Sequence, residues 1–135
     1  MNQFEPDYLY TVQEARELIP ELRPLLELLQ LEQRRMQQEI ERLNDLTPAM
    51  QQNGYAAKAA EHERLILELG ESIREKLDQF ELMGIEVKDI ESGVIDFPSE
   101  RDGRVVLLCW KVDEETVTHW HEIDDGYRGR QPLDE

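Results

Sequence analysis

Phe80-Glu81-Leu82-Met83-Gly84-Ile85-Glu86-Val87-Lys88-Asp89-Ile90 is where the chain changes its hydrophobic period. Up to Gly84 apolar residues recur every three or four positions, the spacing of one helix face. After it they alternate, the spacing of one strand face. Gly84 has the place of a helix-closing glycine, and residues 85–90 read as a half-buried strand. Helices thus precede the switch and strands follow it. The pattern predicts an α+β protein: a long, coiled-coil-like antiparallel two-helix hairpin, then a small antiparallel β-sheet and a C-terminal arm.

Upstream, Thr11-Val12-Gln13-Glu14 has the Thr-x-x-Glu form of a capping box, so a helix should start near Val12. Ala15, Ile19, Leu22, Leu26, Leu29, Met36, Ile40 and Leu43 then occupy the a and d sites of one heptad, broken by Gln33. Pro20 and Pro24 each remove an intrahelical bond, which predicts a kink or a restart at Pro20. Residues 20–44 would run ~37 Å. Leu28 and Leu31 lie off the seam, so the near end should pack on a sheet or second subunit while the far end projects as a two-stranded coil. Pro48 and Asn53-Gly54 break the chain before a second helix over residues 56–83. Its apolar face is Ala59, His62, Leu65, Ile66, Leu69, Ile73, Leu77 and Phe80.

Downstream, residues 94–97 form a short strand ending at Pro98, residues 104–112 a longer one and residues 116–123 another. Residues 113–115 are the link of a final hairpin. The single domain, residues 1–135, thus divides into a helical hairpin (12–83), a β-meander (85–123) and an arm (124–135).

The formal net charge is −16. Residues 1–83 carry 9 basic against 17 acidic side chains and residues 84–135 carry 6 against 14, or −8 each, so the acidity is no tail. Phosphate backbones and anionic membranes attract basic patches, and this chain has none, so neither nucleic acid nor membrane is expected as a partner. One cysteine, Cys109, rules out an internal disulfide and fits a reducing compartment. With no leader-like start and no apolar run near the ~20 residues of a membrane span, the reading is a cytoplasmic protein.

Side chains with chemistry gather late: Trp110, then Trp120-His121-Glu122-Ile123-Asp124-Asp125-Gly126-Tyr127-Arg128-Gly129-Arg130. On a strand, His119 and His121 share a face about 7 Å apart. Two such imidazoles can chelate a divalent metal such as Zn, with Asp124, Asp125 or Glu122 adding a carboxylate. His119, His121 and Asp124 are therefore the candidate metal ligands. The plainer reading has no cofactor, with both histidines bonded to backbone or carboxylate on a half-buried sheet face. Cys109 shares that face if the last hairpin has a three-residue loop, and lies opposite, across from Trp120, if the loop has two. Cys-His nucleophilic chemistry competes there with an inert core thiol. Arg128 and Arg130 suit a carboxylate or phosphate, or pairing with the chain's own acids. Trp110, Trp120, Glu122, Arg128 and Arg130 thus form a possible ligand contact or clasp. Asp124-Asp125-Gly126 lacks the spacing of a calcium loop, and no phosphate-cradling or Gly-x-Ser-x-Gly motif occurs.

Tyr10-Thr11-Val12-Gln13-Glu14-Ala15-Arg16-Glu17-Leu18-Ile19-Pro20-Glu21-Leu22-Arg23-Pro24-Leu25 opens the first helix. A strand ending Leu108-Cys109-Trp110 and the block from Trp120 to Leu133 close the chain. With these motifs the chain resembles the uncharacterised prokaryotic family catalogued as domain of unknown function 2203. The resemblance spans essentially the whole chain and is most specific in the C-terminal block. The family carries no established activity, so a fold relationship is implied and a mechanism is not. His121, Glu122 and Asp124 belong to the core of its pattern and His119 to a looser part. That points toward a site of His121, Asp124 and Arg130, or a structural clasp.

The function these features predict is a non-enzymatic module that forms a homodimer or docks a protein partner through the hairpin. Its arm would fasten onto the helices through Arg128, Arg130 and Leu133. The alternative is a small metal-binding protein or enzyme with its site at His119, His121 and Asp124.

Overall fold

Thr11 accepts a hydrogen bond from the Glu14 amide (3.0 Å) while Glu14 Oε1 accepts one from the Thr11 amide (2.8 Å). This capping box satisfies two of the free amides that every helix start exposes. From it α1 runs unbroken over Val12–Asp45 in the computed structural model, which describes residues 5–46 and 54–134. Pro20 and Pro24 do not restart the helix. Both lie on its exposed side, where water can serve the carbonyls they free. Pro48 and Asn53, two of the expected breakers, lie outside the described residues. Gly54 precedes α2 (Tyr55–Leu82) with φ 86°.

The switch at Gly84 is a Schellman turn. Gly84 donates to Glu81 O (2.9 Å), Ile85 donates to Phe80 O (3.0 Å), and φ is 75° at Gly84. Phe80 and Ile85, which bracket the turn, are both buried in the core. Five strands follow: β1 (Glu86–Asp89), β2 (Val94–Arg101), β3 (Arg104–Lys111), β4 (His119–His121) and β5 (Gln131–Pro132). They pair antiparallel in chain order, β1-β2-β3-β4-β5. The protein is therefore a helical hairpin followed by an antiparallel sheet, as the period switch implies.

Three details differ from the expectations. Strand β2 continues through Pro98, because its β1 partner stops opposite Asp96 and the proline stands on a free edge. Pro98 O accepts from the Tyr10 amide there (2.7 Å). Strand β4 has three residues, not eight. Residues 112–118 do not pair as strand, because their carbonyls accept from α1: Arg23 holds those of Val112, Glu114 and Glu115, and Arg16 holds that of Val117 (2.9 Å). The arm supplies a fifth strand, which covers the otherwise bare edge of β4.

The apolar core lies between α1 and one sheet face. Ala15, Ile19, Leu22, Leu26 and Leu29 meet Ile95, Phe97, Val106, Leu108, Trp110, Val117 and Trp120, with Ile73 and Phe80 from α2. Gln30 still reaches the Glu91 carbonyl (3.0 Å), and from Glu32 onward α1 packs on α2 along a line that departs from the heptad reading. α2 meets α1 at Glu32, Met36 and Glu39. Ser72 and Lys76 bond Glu32, and His62 bonds Glu39 (2.8 Å). A side chain started at Gly70 would sit 3.9 Å from the Met36 sulfur. Glu39 is buried and Ile40, read as a seam residue, is 37% exposed. Pairing with His62 and Arg42 permits that burial of a carboxylate. Ile40 points where the sheet no longer reaches.

Candidate functional site

Strand pairing builds the site. Asp96 of β2 lies directly across from Cys109 of β3, and Cys109 lies across from His119 of β4. Cys109 therefore shares its face with both histidines, the register of a three-residue loop, although the connection is longer. This face points away from the core. It carries Asp96, Cys109 and His121, each nearly or wholly inaccessible (0%, 0% and 1%).

His121 Nε2 lies 3.1 Å from Asp96 Oδ1, and Nδ1 lies 2.8 Å from the carbonyl of Glu122. Both neighbours accept hydrogen bonds, so the ring donates from both nitrogens when it is an imidazolium paired with the Asp96 carboxylate. Burial disfavours that charge. The bond to Asp96, with further bonds to Cys109 and the Glu122 carbonyl, overrides it and pushes the His121 pKa up to about 10. Burial also pushes the Cys109 thiol up, against the pull of His121 and Arg130. Such a thiol is protonated near neutral pH and is a poor nucleophile, which weakens the Cys-His reading. Asp96 Oδ2 is enclosed and has no hydrogen-bond partner. Leaving a buried acceptor unmatched costs about 1–3 kcal/mol.

The arm lies over this face. Arg130 grips Glu114 with two bonds (3.0 and 2.9 Å) and stacks on Tyr127, its guanidinium 4.1 Å from the ring centre. Burial opposes the Glu114 charge, but Arg130 and the Lys111 amide hold its carboxyl below the usual range. Lys111 reaches the other side of Tyr127 (5.9 Å). Leu133 donates to Thr118 O (2.9 Å) and packs at the core margin. The arm thus bonds to the sheet and the 112–118 connection, because β4 offers it an open edge, while Leu133 packs at the core margin. Gly129 is required where the arm turns, since a side chain there would start 2.7 Å from Asp125 Cβ.

The expected metal ligands do not gather. His119 is half-buried, bonded to Thr118 Oγ1 (2.9 Å) and 4.0 Å from Glu114 Oε2, and Asp124 is exposed in a turn. Of the three, only His121 joins a group of potential ligands, with Asp96 and Cys109. Trp110 lies on the opposite, core face, where its Nε1 donates to Glu114 O (3.1 Å) beneath Arg23. Trp120 is also core, with Arg101 and Arg104 over its ring. Glu122 pairs with Arg104, and Arg128 is exposed on a short 3-10 turn, Tyr127–Gly129. Asp96 and Glu114 were not among the expected site residues. Alternation gives no signal for Asp96: between core-facing Ile95 and Phe97 it takes the face where a half-buried strand ordinarily carries a polar residue, and only the covering of that face makes the acid exceptional.

Fold and site together define an α+β protein, a helical hairpin on one face of an antiparallel meander with an Asp-Cys-His group buried on the other. The chain belongs to the family described as Uncharacterized conserved protein (DUF2203), whose sequence profile matches residues 8–133. No curated protein and no solved structure matches it. Among the described residues no helix is long and apolar enough to cross a membrane.

Proposed function

We propose that this protein is a non-enzymatic, cytoplasmic self-associating module whose hairpin pairs with the hairpin of a second copy. One observation carries the reading: the outer half of the hairpin is under-covered. Past Leu29, the described residues of the two helices bury only Glu39 and Ala59 fully up to Ile73, while Leu31 (37%), Ile40 (37%) and Leu67 (71%) stay open. Helices gain most of their stability from packing an apolar face, and a lone pair packs little of it. A second hairpin turns two helices into four and shelters these residues. Exposed Arg34, Arg35 and Arg74 alternate with exposed Glu41, Glu63, Glu71 and Glu75, so the surface carries both signs and can complement itself across a two-fold axis. The acidity of the chain as a whole disfavours a phosphate-backbone partner.

Light scattering across a concentration series tests this. The wild-type chain is expected to be a dimer, and Ile40→Glu/Leu67→Glu to dissociate at about 100-fold higher concentration while its tryptophan circular dichroism stays native. A wild-type monomer at every concentration, or a double variant as dimeric as the parent, overturns the reading.

A further inference from the structure

Three adjacent strands each contribute one potential ligand to the buried face of the sheet: Asp96 from β2, Cys109 from β3 and His121 from β4. A carboxylate oxygen, the sulfur and a ring nitrogen all lie within 4.8 Å of one another. Ligands about 2.0–2.3 Å from a tetrahedral ion lie about 3.3–3.8 Å from one another, and His121 Nε2 and Asp96 Oδ1 are already that close at 3.1 Å. Two further observations point to a ligand. Asp96 Oδ2 is sealed in with no partner. His121 Nδ1 faces the Glu122 carbonyl (2.8 Å), the outer bond that orients a metal-binding imidazole and leaves Nε2 toward the site.

We propose that Asp96, Cys109 and His121 form a binding site for a borderline-soft divalent cation, Zn2+ foremost, that ties β2, β3 and β4 together beneath the C-terminal arm. The ligand set decides the class of ion: a thiolate with an imidazole disfavours Mg2+ and Ca2+, and a single carboxylate is compatible with Zn2+. Binding exchanges the ion for two protons, one from the Cys109 thiol and one from His121 Nε2, both released to solvent. Asp96 Oδ2 or a water completes the coordination. The site is independent of hairpin pairing, and its failure leaves the oligomeric reading untouched.

Titration of the untagged, chelator-treated chain with Co2+ tests the site. One equivalent is expected to produce a thiolate-to-cobalt charge-transfer absorption, which Zn2+ then abolishes. Cys109 is the only cysteine in the chain, so the wild-type spectrum alone identifies it as a ligand. Asp96→Asn, which can keep a hydrogen bond to His121, is expected to weaken Co2+ binding at least tenfold. His119→Ala and Asp124→Asn are expected to bind as the parent does. Absence of the charge-transfer band in the wild-type chain, or loss of binding in His119→Ala and Asp124→Asn instead of Asp96→Asn, overturns the proposal and leaves Asp96 and His121 a buried ion pair.

Discussion

On the sheet face toward the helices, Ile95, Phe97, Leu108 and Trp110 are enclosed by Leu22, Leu26 and Leu29 of α1. On the face away from them, Asp96, Cys109 and His121 are enclosed just as fully, under a short arm. Equal burial has opposite physical meaning on the two sides. Apolar contacts are non-directional and tolerate imperfect geometry, whereas a buried carboxylate and imidazole are stable only while each has its partner. The first face makes the fold. The second makes the fold conditional on a few named bonds, and it alone has chemistry to offer.

The largest effect that could break this contrast is on the apolar face. Phe97 is wholly buried and meets Tyr10 edge-on, ring centres 5.5 Å apart. Phe97→Ala is expected to lower the unfolding free energy by about 3–5 kcal/mol in urea titration, and a loss below about 1 kcal/mol would mean that this face is loosely packed. On the polar face, Asp96→Ala strands the His121 imidazolium and is expected to cost roughly 3 kcal/mol in metal-free protein. Replacing both, Asp96→Leu/His121→Leu, is expected to recover part of that loss. If the double variant is less stable than the single one, the pair contributes more than mutual neutralisation.

The last test is a pH dependence. His121 titrates at about 10 in the fold against an ordinary value of 6.5 when unfolded. A group whose value is raised by folding stabilises fully below its unfolded value and loses that contribution as the pH rises through its folded value. In chelator-treated protein, the stability gap between the wild type and His121→Gln is expected to be widest near pH 6, to narrow from there, and to close near pH 10. A gap that stays constant over that window would show that the imidazole is neutral in the fold.

Much of this was legible along the chain. The capping box, the glycine that ends α2, the strands β1 and β3 and the apolar stripe of the near half of α1 follow from local spacing. Ile40 continues the stripe that packs on the sheet, but beyond the sheet α1 meets α2 through Glu32, Met36 and Glu39, which leaves Ile40 outside the contact. His121 was singled out correctly for its setting but with the wrong companions. Its partner Asp96 lies 25 residues earlier and reaches it only through two strand pairings. His119, two residues away on the same face, turns instead toward Thr118 and Glu114.

By itself the sequence determined the class of fold, the switch from helix to strand at Gly84 and the family, because periodicity, caps and motifs are properties of neighbouring residues. Only the tertiary structure decided which polar groups share a site. A strand register is a choice among pairings that differ by single residues, each of which turns every side chain to the other face. Arg16 and Arg23 gripping the 112–118 carbonyls, and Arg130 closing on Glu114, are bonds between segments far apart in the chain, and they hold the register that brings Asp96, Cys109 and His121 together.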